Sequence, residues 1–232
     1  MSKRVILVRH GNDPPDDRIF LWMAENGFEP LVLKPFAGDE LPGDAAGIVG
    51  SVVYGGPYAV YETERYPFLN REYEWIDRCM AADLPLLGIC QGAQMIAYRL
   101  GAEVGPSPHG WTEFGSYEIE PTEAGRDILP GPIHVMQSHF HTFGIPPGAE
   151  HLATSALFPN QAFRVGARVY GLQFHPEVTV AGFRRWQDAP WANYGKPGAQ
   201  TRAEQDETIA RHDARQGDWL HGFLGRLFAP AA

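Results

Sequence analysis

Short apolar segments alternate with amphipathic stretches along the first hundred residues of this 232-residue chain. The apolar segments cover residues 4–8, 30–34, 48–54 and 85–89, and stretches with helical spacing lie near 15–26, 66–82 and 91–100. Strands that are apolar along their whole length are buried on both faces, which is typical of parallel strands joined by helices. The pattern therefore predicts an α/β fold: a flavodoxin-like, doubly wound, mostly parallel sheet with helices on both faces.

The periodicity changes beyond residue 110, where Pro and Gly turns separate shorter strand-like segments. These segments lie at 114–120, 133–137, 151–154 and 163–174, and they predict a β-rich extension of the sheet. Residues 190–200 form a Pro- and Gly-rich loop, and residues 201–228 predict a helix with an apolar stripe near its end. We expect a single domain over 1–232, with a C-terminal helical tail at about 182–232 that packs on its own domain rather than on a partner.

The helix predicted near 66–82 separates apolar from charged side chains. Its apolar side carries Trp75, Ile76, Cys79 and Met80, and its charged side carries Glu72, Glu74, Asp77 and Arg78. At helical spacing the first set is expected in the core and the second in solvent. Cys79 is therefore predicted to be a packing thiol, and Glu72 a solvated carboxylate.

Composition excludes some classes of partner. The formal net charge of −9 argues against nucleic acid, whose binding needs a basic surface. The first apolar run, Val5–Val8, is too short for a signal-peptide core or a membrane span. Two cysteines outside any Cys-x-x-Cys pair favour reduced thiols over a disulfide framework or a metal site. We expect a soluble, cytoplasmic protein without a membrane partner.

The apolar segment 85–89 runs directly into a predicted helix and leaves Cys90 at the junction. Gly88 and Gly92 flank it by two positions and permit the tight turn of a strand-to-helix elbow. At the helix N-terminus the backbone dipole favours a thiolate, the reactive form of cysteine. Because free cysteine is also one of the most buried residue types, this motif alone leaves a nucleophile and a core thiol equally open.

A second motif supplies what a nucleophilic thiol needs. Gln173 and Phe174 end a predicted strand, and His175, Pro176 and Glu177 follow. A histidine can take the proton of a thiol and return it to a leaving amine near neutral pH. A carboxylate two positions further on can orient the ring, as the third member of a hydrolase triad does.

Four motifs in this order resemble those of a known family. They are Gly55-Gly56-Pro57, Gly88-Ile89-Cys90-Gln91-Gly92-Ala93-Gln94, Met136-Gln137-Ser138-His139 and Gln173-Phe174-His175-Pro176-Glu177. Over about residues 3–180 the chain resembles the class I (triad) glutamine amidotransferases, and among them the glutaminase domain of GMP synthase and its free-standing relatives. The resemblance implies Cys90 as nucleophile, His175 as general base and acid, and Glu177 as the partner that orients it.

The resemblance also implies the rest of a site. The backbone N–H groups of Gly56 and Gln91 would form the oxyanion hole, although Gly-Gly-Pro by itself is a common turn sequence. Gln94 and the backbone of Ser138, His139 and Phe140 would bind the amino-acid end of the substrate. Many GMP-synthase-like members read Ser-His-Gly-Asp where this chain has Ser138-His139-Phe140-His141, a departure expected to change the shape of the substrate pocket.

No metal or cofactor is predicted. His139 and His141 have no third ligand at close spacing, and no phosphate-binding Gly-rich loop occurs. The other histidines, His10 among them, stand singly in the sequence and are expected to have no chemical role.

The leading interpretation is a glutaminase or glutamine amidotransferase. It would hydrolyse the side-chain amide of glutamine through a cysteinyl-glutamyl thioester and release ammonia for a separate synthetase, because no Ser-Gly-Gly-x-Asp-Ser signature of an ATP pyrophosphatase occurs. The alternative is a stand-alone γ-glutamyl peptidase or hydrolase with the same triad. A third hypothesis is a catalytically silent regulatory module, against which the presence of Cys90, His175 and Glu177 argues.

Overall fold

The computed structural model describes residues 3–229. Its strands are β1 (Lys3–Val8), β2 (Phe28–Leu33), β3 (Ile48–Val53), β4 (Leu86–Ile89), β5 (Val104–Pro106), β6 (Glu113–Pro121), β7 (Ile133–His139), β8 (His141–Phe143), β9 (Glu150–Thr154), β10 (Ala162–Val165) and β11 (Val169–Leu172). Its helices are α1 (Arg18–Glu25), α2 (Phe68–Ala81), α3 (Gln91–Arg99), α4 (Val180–Gln187) and α5 (Arg202–Leu227). The predicted ranges 1–232 and 182–232 extend into residues 1, 2 and 230–232, which lie outside the described residues.

One large sheet organises the molecule. Its strand order is β2-β1-β3-β4-β11-β10-β9-β6-β7, and β5 pairs with β8 in a separate ribbon. The five strands from β2 to β11 are parallel, and the strands from β11 to β7 pair antiparallel. The predicted α/β fold, with its parallel sheet and β-rich extension, is confirmed. Because β3, β4 and β11 are parallel neighbours, their carboxyl ends open at the same edge.

Helices cover both faces of the parallel strands. Along β1, Val5 and Leu7 pack in one core with residues of α1 and α5, whereas Ile6 and Val8 pack in another with residues of α2 and α3. This division follows from the alternation of side chains along a strand. It explains why the first strand is apolar at four consecutive positions.

The C-terminal helix α5 packs on the sheet, as the amphipathic pattern predicts. Its side chains at Leu220, Phe223 and Leu224 are buried in the core shared with α1. Thr201 and Glu204 close its N-terminus with a reciprocal capping box. Among residues 3–229, no helix combines the length and the apolar character needed to cross a membrane.

The prediction for Glu72 is wrong. Cys79 is fully buried as expected, but Glu72 on the same helix is buried too, with no exposed surface. Its carboxylate lies 2.8 Å from Nε2 of His10 at the end of β1. A polar partner from a distant strand has taken a position that helical periodicity alone assigns to solvent.

The glycine at the start of α3 is required by close packing. A Cβ on Gly92 would overlap the carbonyl oxygen of Val53, whereas a Cβ on Gly222 in α5 would meet nothing within 4 Å. We expect Gly92→Ala to lower the free energy of unfolding by about 3 kcal/mol, because this core cannot accept the extra methyl group. Gly222→Ala is expected to raise it by about 0.5–1 kcal/mol, because alanine favours the helix. Urea denaturation of both variants checks this, and equal effects would contradict it.

Candidate active site

Cys90 lies at a strained turn between β4 and α3. Its backbone has φ 50° and ψ −106°, outside the regions that L-residues favour, and such strain is found preferentially at functional sites. Its N–H donates to the carbonyl oxygen of Leu172 at 2.7 Å, and its own carbonyl accepts from Gln94 N–H at 3.0 Å. A Cβ on Gly88 would lie 2.6 Å from the backbone of Gly92, so both flanking glycines allow the strand and helix to meet. The predicted elbow is therefore present.

His175 and Glu177 follow β11, the parallel neighbour of β4. Nδ1 of His175 lies 2.8 Å from Oε1 of Glu177, and both residues are buried. The His175 N–H donates to the carbonyl oxygen of Met136 at 2.8 Å. The Trp186 ring of α4 packs edge to face against the imidazole, with the ring centroids 4.8 Å apart. The imidazole is held by a carboxylate, a backbone bond and an aromatic ring.

Cys90 and His175 meet beside the end of β3. The two side chains are hydrogen-bonded to each other. A Cβ on Gly55 would lie 2.7 Å from Cε1 of His175 and 3.4 Å from Cβ of Cys90, so only glycine fits against them. Three parallel strands thus bring together residues that lie as much as 120 positions apart in the sequence (55 to 175).

The protonation of His175 reflects two opposing effects. Burial lowers the pKa of this imidazole because it disfavours the charged form. The Glu177 carboxylate and the Cys90 sulfur raise it, through their charges and hydrogen bonds, and the net result is a pKa of about 10. An imidazolium is therefore the favoured form of His175 at neutral pH.

The loop after β3 is held against the elbow. Oε1 of Gln91 accepts a hydrogen bond from the N–H of Tyr58 at 2.9 Å, and it would lie 2.7 Å from a Cβ on Gly56. Within residues 3–229, the N–H groups of Gly56 and Gln91 have no protein acceptor. Both donors are therefore available to a ligand beside Cys90.

The residues predicted to bind the substrate are placed differently from one another. Ser138 and Phe140 line the cavity in front of Cys90, and the Ser138 carbonyl oxygen is 4.0 Å from Cys90 Sγ. His139 is buried and turned away, with Nε2 2.9 Å from Oε2 of Glu113. Gln94 is also buried and donates to Oε1 of Gln173 at 3.2 Å, outside the cavity lining. Only the backbone of His139 remains available to a substrate in this arrangement.

Sequence reasoning missed two groups that hold the site. Glu113 on β6 accepts hydrogen bonds from His139, Ser155 and Gln161, which secures the segment that ends at Phe140. No local pattern marks Glu113 for this role, because its partners come from other strands.

The second missed group is Arg18 at the start of α1. Its guanidinium donates to the carbonyl oxygens of Pro176 and Val178, and its N–H donates to that of Glu177 at 2.8 Å. Asp17 caps the same helix and pairs with Arg9. The start of α1 therefore secures the segment that carries Glu177.

A cavity of about 830 Å³ opens in front of Cys90. Beyond Cys90 and His175 it is bounded by the loop after β1 and by α4, and its wall includes Asn12, Asp13, Asp16, Arg185, Trp186, Trp191 and Asn193. Asp16 and Arg185 form a bidentate ion pair across it, with N–O distances of 2.7 and 2.9 Å. In the part of the chain that the structure describes, no three His, Cys, Asp or Glu side chains converge as metal ligands.

The fold and the site define a class of protein: a doubly wound α/β protein with a cysteine at a nucleophile elbow and a buried His-Glu pair beside it. Comparisons with known proteins agree. The model of the family "Glutamine amidotransferase class-I" matches residues 24–185. The chain belongs to the class I glutamine amidotransferases, as the sequence motifs predict. This family is enzymatic and hydrolyses the amide of glutamine.

Individual relatives place the chain more closely. It is 34% identical to the glutamine amidotransferase-like protein YfeJ of Salmonella typhimurium, over 76% of this chain and 77% of that protein. It is also 34% identical to GMP synthase of Porphyromonas gingivalis, over 60% of this chain and only 27% of the synthase. The chain thus matches about a quarter of that relative's length. A glutamine amidotransferase of Thermotoga maritima has a similar structure, with a TM-score of 0.87, 28% identity and coverage of 99% of this chain and 100% of that one.

Proposed function

We propose that this protein hydrolyses the side-chain amide of glutamine by covalent catalysis at Cys90. The observation that carries the proposal is the geometry at the sheet edge: a strained cysteine, hydrogen-bonded to His175, which is itself 2.8 Å from Glu177. A nucleophile, an acid-base group and an orienting carboxylate in contact are the parts that acyl transfer requires.

In the first half-reaction the Cys90 sulfur attacks the amide carbon and the carbonyl oxygen becomes an oxyanion. The free N–H groups of Gly56 and Gln91 are suited to stabilise this charge. His175, favoured as imidazolium, gives its proton to the departing nitrogen, so ammonia leaves and a glutamyl thioester forms. An imidazolium beside a sulfur also stabilises the attacking thiolate.

In the second half-reaction water cleaves the thioester. His175, now neutral, takes a proton from the water, whose oxygen bonds to the acyl carbon. The carbon–sulfur bond then breaks, glutamate leaves and Cys90 is regenerated. Glu177 stabilises the imidazolium that forms again and keeps Nδ1 facing the carboxylate.

The amino-acid end of the substrate is proposed to bind along the end of β7. Ser138 and Phe140 line the cavity there, with the Ser138 carbonyl oxygen 4.0 Å from Cys90 Sγ. Gln94 would take part only after leaving its bond to Gln173.

The ammonia is proposed to pass to a separate synthetase. The similarity to GMP synthases supports such a partner. One of these relatives is a solved GMP synthase subunit of Thermoplasma acidophilum, with 27% identity, a TM-score of 0.62 and coverage of 81% of this chain and 92% of that one.

The cavity favours a second candidate, a γ-glutamyl hydrolase with the same residues. Ammonia is a small leaving group, yet the cavity extends well past His175 to a wall that carries Trp186 and Trp191. Aromatic walls of this kind bind organic groups in ligand pockets. A γ-glutamyl amide with a larger amine would use this space.

Steady-state assays of glutamate release from glutamine and from γ-glutamyl dipeptides separate the candidates. We expect glutamine to have the higher kcat/KM, because the proposed reaction needs no second residue in the cavity. At least about tenfold faster turnover of dipeptides would replace the first candidate with the second. Absence of turnover on both, together with no labelling of Cys90 by a glutamine-mimicking electrophile, would favour the silent module.

A further inference from the structure

A buried histidine–glutamate pair lies directly behind the glycine loop and has no part in the chemistry above. Nε2 of His10 is 2.8 Å from Oε2 of Glu72, and neither side chain has any exposed surface. Nδ1 of His10 faces the carbonyl oxygen of Gly55 at 3.3 Å. A Cβ on Gly56 would overlap Cβ of His10. The pair therefore touches both residues of the Gly55–Gly56 peptide.

Such a pair is an expensive way to fill space. Removing two polar groups from water costs more than packing apolar side chains of similar volume, so buried pairs are often replaceable without loss of stability. Oε1 of Glu72 also has no hydrogen-bond partner among the described residues, which adds to the cost. Stability alone does not account for the pair.

Peptide geometry connects the pair to the proposed oxyanion hole. The Gly55 carbonyl and the Gly56 N–H belong to one planar trans peptide, so they point in opposite directions. A donor that holds the carbonyl on the His10 side consequently turns the N–H to the opposite side. Donation to a peptide oxygen also polarises the N–H of the same unit, which makes it a stronger donor.

The rest of the loop is anchored on either side of this peptide. Tyr54 N–H donates to Val8 at 3.0 Å, and Tyr58 N–H donates to Gln91 at 2.9 Å. Between these anchors stand two glycines, which rotate more freely than other residues. The described hydrogen bonds include one that holds the peptide between them, and it comes from His10.

We propose that the His10–Glu72 pair locks the Gly55–Gly56 peptide with its N–H directed to the substrate oxygen. Glu72 orients the imidazole, and Nδ1–H of His10 holds the Gly55 carbonyl. His10 is thus a positioning residue that acts through Gly56, and the inference rests on the proposed function of that N–H.

Two double variants test the proposal. His10→Leu/Glu72→Met replaces the pair with apolar side chains and removes the donor. His10→Asn/Glu72→Gln also removes the ionisable groups, but its Asn amide can occupy the place of Nδ1 and donate to the Gly55 carbonyl. The surface pair at His134 and Glu118, 3.9 Å apart, provides the control His134→Leu/Glu118→Met. Should the Leu/Met protein fail to fold in thermal unfolding, His10→Leu/Glu72→Gln replaces it.

Turnover and alkylation are then compared. We expect the Leu/Met variant to lose about 10- to 100-fold in kcat on glutamine with little change in KM, since a misdirected donor affects the transition state. The Asn/Gln variant is expected to recover most of that loss, and the surface control to match wild type. Alkylation of Cys90 by iodoacetamide forms a sulfur–carbon bond as iodide leaves and creates no oxyanion, so its rate should remain unchanged in all variants.

The outcomes separate this inference from the proposed function. A wild-type protein that turns over neither glutamine nor a γ-glutamyl amide would overturn both. An active wild type whose kcat is matched by the folded Leu/Met variant would overturn the inference alone. Alkylation that slows in parallel with turnover would do the same, because it would indicate a general disturbance of Cys90.

Discussion

Replacing Cys90 with alanine will reduce glutamine hydrolysis by at least about 10⁴-fold, because the covalent route disappears with its nucleophile. Labelling by a glutamine-mimicking electrophile will be lost as well. The fold is expected to survive, since alanine is smaller and the turn at Cys90 is held by the backbone hydrogen bonds to Leu172 and Gln94. Glutamate release and intact-protein mass after labelling measure the two effects.

Cys79→Ala is the matched control for this experiment. Cys79 is the other cysteine of the chain, it is fully buried on α2, and burial raises the pKa of its thiol to about 12. A protonated thiol without access to solvent does not react. The variant should keep both turnover and labelling, with a modest loss of stability from the small cavity. Undiminished labelling of Cys90→Ala would show that another residue is the nucleophile.

Replacing Glu177 with glutamine will reduce kcat by about 10²- to 10⁴-fold while leaving the shape of the site intact. The carboxylate is the main group that raises the pKa of His175 against the effect of burial. Without its charge the pKa of His175 falls, so less imidazolium is present near neutral pH to protonate the leaving nitrogen. Histidine NMR titration of both proteins, together with kcat across pH, measures the change.

The same pKa gives a sign for stability. Because the folded-state pKa of about 10 exceeds the ordinary histidine value of 6.5, His175 stabilises the fold fully below about pH 6.5 and loses that contribution as pH rises through about 10. Glu177→Gln should reduce the decline in unfolding free energy over this interval. Glu118→Gln, beside the more exposed His134, is the control and should leave His175 unaffected. An unchanged His175 titration in Glu177→Gln would contradict this account of the pair.

Much of the fold could be predicted from local pattern. The predicted helix near 91–100 is observed at Gln91–Arg99, and the predicted strand at 85–89 at Leu86–Ile89. These elements follow from apolar periodicity and from turn residues, which act over a few positions. The elbow was visible for the same reason, because Gly88, Cys90 and Gly92 are close in sequence.

Polar contacts between distant elements could not be predicted in this way. Glu72 looks like a solvated residue at its helical position, and His10 looks isolated, yet they lie 62 positions apart and pair in the core. Arg18 likewise supports a segment near Glu177, far along the chain. Each residue has an ordinary local context, and only its partner makes it unusual.

The sequence by itself determined the class of fold and the residue types at the site, because periodicity, glycine spacing and the His-Pro-Glu motif are local properties. The tertiary structure decided which polar groups meet. Parallel pairing of β3, β4 and β11 brings Gly55, Cys90 and His175 to one edge, and burial leaves Glu72 with His10 as its partner behind the loop. Such contacts depend on how whole elements pack, and the cost of burying polar groups makes each of them depend on a partner elsewhere in the chain.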